Sequence, residues 1–471
     1  VTKGHKVPFV CLFEGFRGLN YQIMRSCQPC FKLLCLIFCN AIFVNGFYGP
    51  TRALFSMSTG GSTNKGPKEQ PSSSEGTASR RDALGKWGAA LGCGMAGADI
   101  LASATYKVSW PALHAEVGPQ VEAGWDRPGD LPDAAYIRLG TKQGRRQPMC
   151  RILNGMWQVS GGHGYSPEEE KSIRSMNKLV SEGFTTFDLA DIYGPAEDIA
   201  GKFSTQQIVK ANPDHQQLFT KWVPRPQRVN KDVVDEALGR TMSRMKSERI
   251  DLLQFHWWDY SNKYYQDALH ILQERVDDGT IRQLALTNFD TFHLKEMRSQ
   301  GVDIVSNQVQ YSVLDQRPAV SMVPYCRKEN VKLLAYGTLL GGFFSEYWLG
   351  RENPDPYSLG TSSLRKYYYM IAQWGGWSLF QQLLTAMKQV ADKHDVSIAN
   401  VAVRWVLDQP AVGGAIVGVR LGYRDHIEDN KKVFSFSLDE EDLASIAKVT
   451  KSARSLFSVI GDCGDEYRRR M

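Results

Sequence analysis

The spacing of apolar positions changes repeatedly along the chain from about residue 136 onwards. Short runs rich in β-branched residues are typical of buried strands, and the segments between them repeat apolar residues at helical spacing. This alternation predicts βα units and a parallel sheet. Eight runs are predicted strands: residues 150–154, 185–190, 218–222, 251–256, 283–287, 304–309, 333–337 and 415–419.

Helical spacing fills the intervals between the predicted strands. The clearest segments are residues 167–182, 231–245, 264–276, 291–298 and 425–433, with further helices at 379–394, 398–408 and 439–453. Eight alternating units with short links predict an α/β fold of the closed (β/α)8 TIM barrel type. An open doubly wound sheet would normally begin with a GxGxxG fingerprint. Residues 160–164 are rich in glycine but lack that spacing, so we predict a loop there.

One interval is far longer than an ordinary βα loop. Residues 341–377, after the seventh predicted strand, are rich in Gly, Pro and Tyr. In a barrel such a loop lies over the carboxyl-end mouth, so we predict a lid. The expected organisation is a targeting region over 1–104, a linker over 105–135, the barrel with extra C-terminal helices over 136–455 and a tail over 456–471.

The first 104 residues have the composition of a disordered targeting region. An apolar run at 33–44 has the length of a signal-peptide core, with Met24 as a candidate start codon ahead of it. Residues 44–50 are similar to the cleavage motif of plastid proteins in algae with complex plastids. Residues 51–79 are rich in Ser, Thr and Gly, as expected of a transit segment.

A second export signal follows the transit-like segment. Arg80 and Arg81 precede an Ala- and Gly-rich stretch that ends in Ala-Ser-Ala at 102–104, which resembles a twin-arginine signal. The alternative is a surface amphipathic helix over 83–104. The stacked signals predict a plastid protein whose targeting region is removed, with stroma and thylakoid lumen both open as destinations.

The distribution of charge and cysteine limits the kinds of ligand and partner that we expect. The formal net charge of +6 is concentrated in the first 104 residues and the remainder is balanced, so nucleic acid is disfavoured. Cys27 and Cys30 have the spacing of a redox or metal motif, but no His or second Cys pair accompanies them, and we expect no metal site. The run at 33–44 is too short to cross a bilayer, so no membrane span is expected in the mature protein.

Four polar side chains suited to acid–base chemistry lie at or just after the ends of adjacent predicted strands. Asp188 and Tyr193 follow the second strand, Lys221 ends the third and His256 ends the fourth. Catalytic residues of barrels project from these ends into one mouth. Each has an ordinary explanation when taken singly, such as a lysine that reaches for water. Together they predict a catalytic site.

The sequences around these residues resemble the aldo-keto reductase superfamily. The resemblance covers about residues 149–453, with the motifs in the family's order. They are residues 187–197, the Thr220-Lys221 pair, Leu-Leu-x-x-His at 252–256, and residues 286–289, 307–311, 335–339 and 418–420 leading to Asn430.

The resemblance implies a mechanism for carbonyl reduction. Tyr193 would donate a proton to the carbonyl oxygen as hydride reaches the carbon, and a phenol with a pKa near about 10 needs help near neutrality. Lys221 would stabilise the phenolate and Asp188 would hold Lys221 by a charge-assisted pair. His256 would orient the carbonyl by a hydrogen bond.

The resemblance also implies a cofactor, NADP(H), with NAD(H) left open. Tyr336 would stack on the nicotinamide, and Arg420 would bind the 2′-phosphate because a guanidinium offers two donors. Thr287, Asn288 and Gln308 would bind the carboxamide. The other implied cofactor residues are Gly155, Met156, Trp157, Gly337, Thr338, Leu339, Gly418, His426 and Asn430.

Four positions depart from the family pattern, and one of them is Trp258, which follows Trp257 where a Pro is common. Thr287 stands where Ser is usual, which keeps the hydroxyl. Leu421 and His426 stand where many members have a hydroxyl residue and an Arg. These two departures leave the preference for NADP(H) only partly supported.

These observations predict an oxidoreductase that reduces an aldehyde, ketone or quinone carbonyl to an alcohol with NADPH and with Tyr193 as proton donor. The alternative is a cofactor-binding accessory subunit on the same barrel, like the β subunits of voltage-gated potassium channels. A barrel hydrolase is disfavoured, because no paired carboxylates or Ser–His arrangement occurs at the predicted strand ends. The substrate is a small carbonyl compound, and the oligomeric state is not predicted.

Tryptophan usage points to the shape of the substrate. An aromatic or flat apolar compound would suit a site lined by tryptophan, although a buried Trp equally serves as plain core. The five candidates are Trp157, Trp257, Trp258, Trp374 and Trp377.

Overall fold

The structure is a computed structural model that describes residues 126–140, 144, 146–161 and 163–468. The predicted targeting features of residues 1–104, with Met24, Cys27 and Cys30, lie outside the described residues, as does most of the predicted linker. Over the described ranges, no helix has the length and apolar character needed to cross a bilayer.

Ten strands occur in the described part of the chain, two in a hairpin and eight in a closed barrel. They are β1 (Tyr136–Gly140), β2 (Arg146–Cys150), β3 (Ile152–Gly155), β4 (Thr186–Asp188), β5 (Gln217–Trp222), β6 (Ile250–His256), β7 (Ile281–Thr287), β8 (Ile304–Gln310), β9 (Lys332–Tyr336) and β10 (Val412–Gly418).

The barrel strands follow chain order around the ring, and β10 pairs with β3 to close it. Every neighbouring pair is parallel. All eight carboxyl ends therefore meet at one mouth. The predicted closed (β/α)8 barrel is confirmed, and each predicted strand overlaps an observed one.

Helices cover the outside of the barrel. They are α1 (Glu169–Ser181), α2 (Ala196–Ser204), α3 (Gln207–Ala211), α4 (Lys231–Met245), α5 (Tyr264–Asp277), α6 (Thr291–Ser299), α7 (Met322–Lys328), α8 (Ser362–Trp374), α9 (Gly376–Lys393), α10 (Ile398–Leu407), α11 (Ile427–Lys432), α12 (Glu440–Thr450) and α13 (Leu456–Val459). The predicted helix over 231–245 coincides with α4, whereas α2, α3, α7 and α13 were not predicted.

The predicted lid contains a helix, α8. Its first turn is capped by the Thr361 side chain, which accepts a hydrogen bond from the Leu364 amide. Tyr367, Met370 and Trp374 recur at helical spacing and are buried. This amphipathic pattern was not recognised because the surrounding residues are rich in Gly, Pro and Tyr. The insertion lies over the end of β9, where Tyr367 contacts Gly337.

The hairpin β1–β2 closes the end of the barrel opposite the mouth. Ile137 and Leu139 alternate with Arg138, so one face of β1 is apolar. The Gln283 amide, near the start of β7, donates to the Leu139 carbonyl at 3.0 Å. Hairpin side chains pack with barrel-interior residues in one cluster: Ile137, Leu139, Met149, Leu153, Phe219, Leu252, Ala285, Val305 and Leu334.

Helices α2 and α4 approach each other at a glycine. A Cβ on Gly201 would overlap the Arg244 carbonyl oxygen and lie 2.8 Å from the Met245 carbonyl carbon. These neighbours are backbone atoms at the end of α4, so they cannot turn away as a side chain could. Only glycine allows the two helices to pack this closely.

We expect Gly201→Ala to destabilise the barrel by about 1–3 kcal/mol, because the two helices must separate to admit the methyl group. The matched control is Gly239→Ala in α4, where a Cβ meets nothing within 4 Å. That change should be neutral or stabilise by up to about 1 kcal/mol through helix propensity. Thermal unfolding of the full chain measures both, and equal melting temperatures for the two variants would contradict the packing argument.

Candidate active site

The four predicted catalytic side chains meet at the mouth. Asp188 is the last residue of β4, Lys221 is the second-last of β5 and His256 is the last of β6. Tyr193 lies in the loop after β4. Asp188, Lys221 and His256 are buried, and Tyr193 is half-buried.

A buried ion pair joins β4 and β5. The Lys221 Nζ donates to Asp188 Oδ2 at 2.7 Å and to the Leu189 carbonyl at 2.8 Å. Asp188 Oδ1 accepts from Gln254 Nε2 at 2.9 Å and from Gln308 Nε2 at 2.7 Å. The third N–H of Lys221 has no acceptor among the described residues, so it remains available to a phenolate or a substrate oxygen.

Tyr193 lies beside this pair. The Lys221 Nζ is 4.9 Å from the centroid of the Tyr193 ring. Burial is the main cause that raises the pKa of Tyr193 well above 10, and the negative charge of Asp188 adds to it. An ammonium beside a phenol favours the phenolate, but in the resting site desolvation disfavours the phenolate more strongly. The hydroxyl stays protonated and ready to donate.

His256 is held in its neutral form. Burial, followed by the positive charges of Arg468 and Lys221, lowers the pKa of His256 to about 3. Its ring packs against Trp258 with the two centroids 4.3 Å apart. A neutral imidazole can donate a hydrogen bond to a carbonyl oxygen without placing a charge beside it.

The residues predicted for the carboxamide lie at the ends of β7 and β8. The Thr287 hydroxyl is buried and has no partner in the described part of the chain, which fits a site built for a polar ligand. Both amide hydrogens of Gln308 are used by Asp188 and Gln254, so its carbonyl oxygen is left to accept. One donor or acceptor hydroxyl and one acceptor amide oxygen are suited to a carboxamide.

Asn288 and Tyr336 are engaged with each other. Asn288 has a left-handed backbone with φ 56°, and its Oδ1 lies 2.9 Å from the Tyr336 hydroxyl. Tyr336 ends β9 and is half-buried. The following Gly337 has φ 71°, and a Cβ there would overlap the Tyr367 hydroxyl.

Comparison with known proteins identifies the family. A model of the aldo/keto reductase family matches residues 151–451, which is more than half of the chain. The chain belongs to the aldo/keto reductase family. It is accordingly an NAD(P)H-dependent oxidoreductase, and the resemblance seen in the sequence is confirmed.

Similar proteins extend over nearly the whole barrel. Aldo-keto reductase YhdN of Bacillus subtilis (strain 168) is 24% identical over 321 residues, which are 65% of this chain and 91% of the relative. The structure of a glycerol dehydrogenase from Gluconobacter oxydans superimposes with a TM-score of 0.55 at 23% identity and covers 69% of this chain and 96% of that one. The structure of an aldo/keto reductase from Klebsiella pneumoniae, solved with NADP and acetate, superimposes with a TM-score of 0.50 at 19% identity. It covers 64% of this chain and 92% of that one.

The remaining predicted cofactor residues of this reductase lie in the loops after β3, β9 and β10. Gly155 and Gly418 end paired strands, and Leu339 is half-buried after β9. The Met156 amide donates to the Asp188 carbonyl at 2.9 Å. The Thr338 hydroxyl lies 3.3 Å from the Ile416 carbonyl. His426 is exposed just before α11, and Asn430 is inside that helix.

Arg420 follows β10 and is half-buried among aromatic rings. Its guanidinium lies 6.0 Å from the Tyr423 ring centroid, and Tyr423 in turn packs near Tyr165. Burial and the charge of Arg420 lower the pKa of His163. An antiparallel bridge brings exposed Arg424 opposite Arg420. Arg424 is a second guanidinium, and it was not among the predicted cofactor residues.

The tryptophans divide into two groups. Trp258 lies at the site against His256, and Trp157 follows β3 and packs on His163 at 4.8 Å. The other three tryptophans serve as packing residues. Trp257 is fully buried and donates to the carbonyls of Asp259 and Asn262. Trp374 is buried in α8 and Trp377 packs against Phe343, Trp348 and Phe380.

Residues 462–468 lie in the mouth and were not predicted to contribute to it. Tyr467 packs on His256 and Trp258 with centroids 6.2 and 6.1 Å apart. Arg468 donates to the Tyr260 hydroxyl at 2.7 Å. This part of the predicted tail has little apolar periodicity. The run of charged residues after Cys463 is the one feature of its sequence that could have indicated a role at the mouth.

We expect His256 to stay neutral when the pH falls from about 8 to about 5, because burial and nearby cations keep its pKa near 3. Nitrogen-detected NMR of protein labelled in histidine should show neutral ring shifts throughout this range. The His256 signal is assigned by its disappearance in His256→Gln. A protonation midpoint above about pH 6 would show that the imidazole is solvated or paired with an acid.

Proposed function

We propose that this protein reduces an aldehyde, ketone or quinone carbonyl to the alcohol with NADPH, with Tyr193 as the proton donor. The buried Lys221–Asp188 pair beside Tyr193 and His256 carries the proposal. Burying a charged pair is expensive, and apolar side chains of similar size would stabilise the fold at least as well. A reaction that develops negative charge on oxygen does need it.

The bound cofactor would supply the hydride that reaches the carbonyl carbon. The Tyr193 hydroxyl transfers its proton to the carbonyl oxygen, so that the product is a neutral alcohol. The free N–H of Lys221 stabilises the phenolate left behind, and Asp188 keeps that ammonium in place. Neutral His256 donates a hydrogen bond to the carbonyl and fixes its orientation.

The raised pKa of Tyr193 is compatible with this role. Burial keeps the proton on the phenol in the resting state. When hydride reaches the carbonyl carbon, the oxygen becomes a far stronger base than a ketone, and proton transfer then becomes favourable. Lys221 acts at that moment, since its attraction is for the phenolate and not for the phenol.

Two observations support NADPH as the cofactor. The Klebsiella relative was solved with NADP, and in this chain Arg420 and Arg424 lie opposite each other after β10. Two guanidinium groups are suited to bind the 2′-phosphate of NADPH, a group that NADH lacks. His426 is exposed and adds no fixed charge to this site.

Trp258 supports a flat or aromatic substrate. It lies against His256, the residue that would hold the carbonyl. An indole beside the reacting group offers an apolar face for an unsaturated ring. A panel of aldehydes, ketones and quinones with NADPH tests this, and aliphatic compounds should be the poorer substrates.

The Tyr193→Phe variant should lose about 10²–10⁴-fold in turnover while its affinity for NADPH changes little, because the hydroxyl acts on the substrate. Tyr325→Phe is the matched control, since Tyr325 lies on α7 beside Lys295 and should keep full turnover. Turnover is followed by NADPH oxidation and affinity by fluorescence titration. A large loss of NADPH binding in Tyr193→Phe would overturn the assignment, whereas a wild type that binds NADPH without reducing any carbonyl would favour the accessory-subunit alternative.

The Arg420→Ala variant should bind NADPH about ten- to a hundredfold more weakly, since it loses a charge-assisted contact worth roughly 1.5–3 kcal/mol. The affinity for NADH should hardly change. Titration of both nucleotides into the wild type and the variant gives the ratio of dissociation constants. Equal weakening of both would point to a structural role for Arg420, and a wild type that prefers NADH would remove the basis for NADPH.

A further inference from the structure

Residues 462–468, termed here the C-terminal segment, are fixed in the barrel mouth at both ends. At one end, Asp462 Oδ2 accepts from the Thr291 amide at the start of α6 at 2.9 Å, and Cys463 is buried. At the other end, Arg468 donates to the Asn288 carbonyl. The segment therefore follows the rim from α6 to the end of β7.

An ion pair holds the middle of the C-terminal segment. Glu466 Oε2 accepts from Arg317 Nη1 at 2.7 Å, and Arg317 also makes a two-point contact with Asp315. Arg317 and Asp315 are fully buried. Burial opposes ionisation of Glu466, yet the Arg317 charge holds the pKa of this carboxyl at about 2. The glutamate is therefore charged at any physiological pH.

Tyr467 completes a cage around a lysine of the lid. The Lys366 Nζ lies 5.1, 5.1 and 4.6 Å from the ring centroids of Tyr336, Tyr367 and Tyr467, and it also donates to the Tyr467 hydroxyl. The Tyr336 hydroxyl is 3.1 Å from that of Tyr467 and 3.2 Å from Glu466 Oε1. Contacts between a cation and three rings stabilise this arrangement.

The backbone of the C-terminal segment presses on Asn288. Gly464 has φ 87°, and a Cβ there would overlap the Asn288 carbonyl oxygen. Gly461, just before the segment, has φ 116°. These glycines let the chain turn into the mouth and approach β7 more closely than any other residue would allow.

The C-terminal segment contacts residues that the proposed function needs for binding the cofactor and the substrate. Tyr336 and Asn288 are proposed to bind the nicotinamide, and His256 is proposed to bind the carbonyl. In the structure Tyr336 faces Lys366 and Tyr467, Asn288 is covered by Gly464 and Arg468, and His256 packs on Tyr467. The segment therefore contacts the same two residues that a nicotinamide would use, with Tyr467 on the Tyr336 hydroxyl and Arg468 on the Asn288 carbonyl.

We infer that the C-terminal segment is a displaceable cap that competes with the nicotinamide of the cofactor for Tyr336 and Asn288. This inference rests on the proposed function. The cap contacts side chains, the Asn288 carbonyl and the Thr291 amide, so no backbone hydrogen bond between barrel strands is lost when the cap leaves. The cofactor then binds the fraction of molecules in which the cap is open, and its apparent dissociation constant is the intrinsic one divided by that fraction.

Two full-length variants loosen the cap without touching the proposed catalytic residues. Arg468→Ala removes the contacts with Asn288 and Tyr260, and Gly464→Ala introduces a clash with Asn288. Each should tighten apparent NADPH binding about tenfold or more and speed association, because more molecules are open. Stopped-flow and equilibrium fluorescence with NADPH measure both quantities.

Two matched controls separate the effect of loosening the cap from the effects of a lost positive charge and of added backbone strain. Arg454→Ala removes the same charge from an exposed arginine that contacts the Ala372 carbonyl. Gly279→Ala introduces the same left-handed strain at φ 89° where a Cβ meets nothing within 4 Å. Both should leave NADPH affinity within about twofold. Loss of positive charge at Arg468 would on its own weaken binding of an anionic cofactor, so the expected change has the opposite sign.

Hydrogen exchange follows the cap directly. Saturating NADP⁺ should speed exchange of the amides at 462–468, because the cofactor displaces them. Slower exchange, or unchanged or weaker binding in both cap variants, would overturn the cap and make these residues a fixed wall of the site. If neither the wild type nor any variant binds NADPH or NADH, the proposed function fails and the cap fails with it. Binding with equal affinity throughout overturns the cap alone.

Discussion

The buried contact between Lys221 and Asp188 is the interaction on which the mouth of this barrel depends. Both charges are removed from water, and their attraction offsets that cost only if the other polar atoms are also satisfied. Leu189, Gln254 and Gln308 supply those partners, from the loop after β4 and from β6 and β8. Loss of either charge would leave the other buried and unpaired, which costs about 3–5 kcal/mol. Strands β5, β6 and β8 are thus tied to the carboxylate on β4, and the loop after β4 is tied to the ammonium.

The same burial sets the charge of the neighbouring groups. It raises the pKa of Tyr193 and lowers that of His256, so the phenol and the imidazole are both uncharged at neutral pH. Lys221, already paired with Asp188, thus lies beside two neutral hydrogen-bonding groups. Such an arrangement favours a substrate that is neutral at the start and becomes negative on oxygen during the reaction. A carbonyl compound has that property.

Much of this could be predicted from the sequence, because strands and strand ends leave a local pattern. The eight barrel strands follow from runs of apolar residues, and Asp188, Lys221 and His256 follow from their places at the ends of those runs. The structure brings them together as expected. The pKa of Tyr193 in the resting site depends mainly on how deeply the phenol is buried, and strand order does not show that depth.

Other features depend on partners that are distant in the chain, and local patterns do not show them. Glu466 and Arg317 are 149 residues apart, and a glutamate within a run of charged residues gives no indication of a buried partner. Gln254 lies within a predicted strand, where its role as a donor to Asp188 could be seen only from the barrel register. The hairpin β1–β2 is short, and its apolar face makes sense only against the end of the barrel that it covers.

Two buried ion pairs at one mouth differ in what their rupture would cost. Lys221 and Asp188 both belong to barrel strands, so separating them requires unfolding. Glu466 and Arg317 join a loop to the C-terminal segment, and Arg317 keeps Asp315 when Glu466 leaves. The departing carboxylate regains its hydration, and the guanidinium left behind is still paired, so neither charge is stranded. The proposed opening of the C-terminal segment would therefore leave the Lys221–Asp188 pair in place, so the same mouth would keep its proposed catalytic side chains rigid and still admit a cofactor.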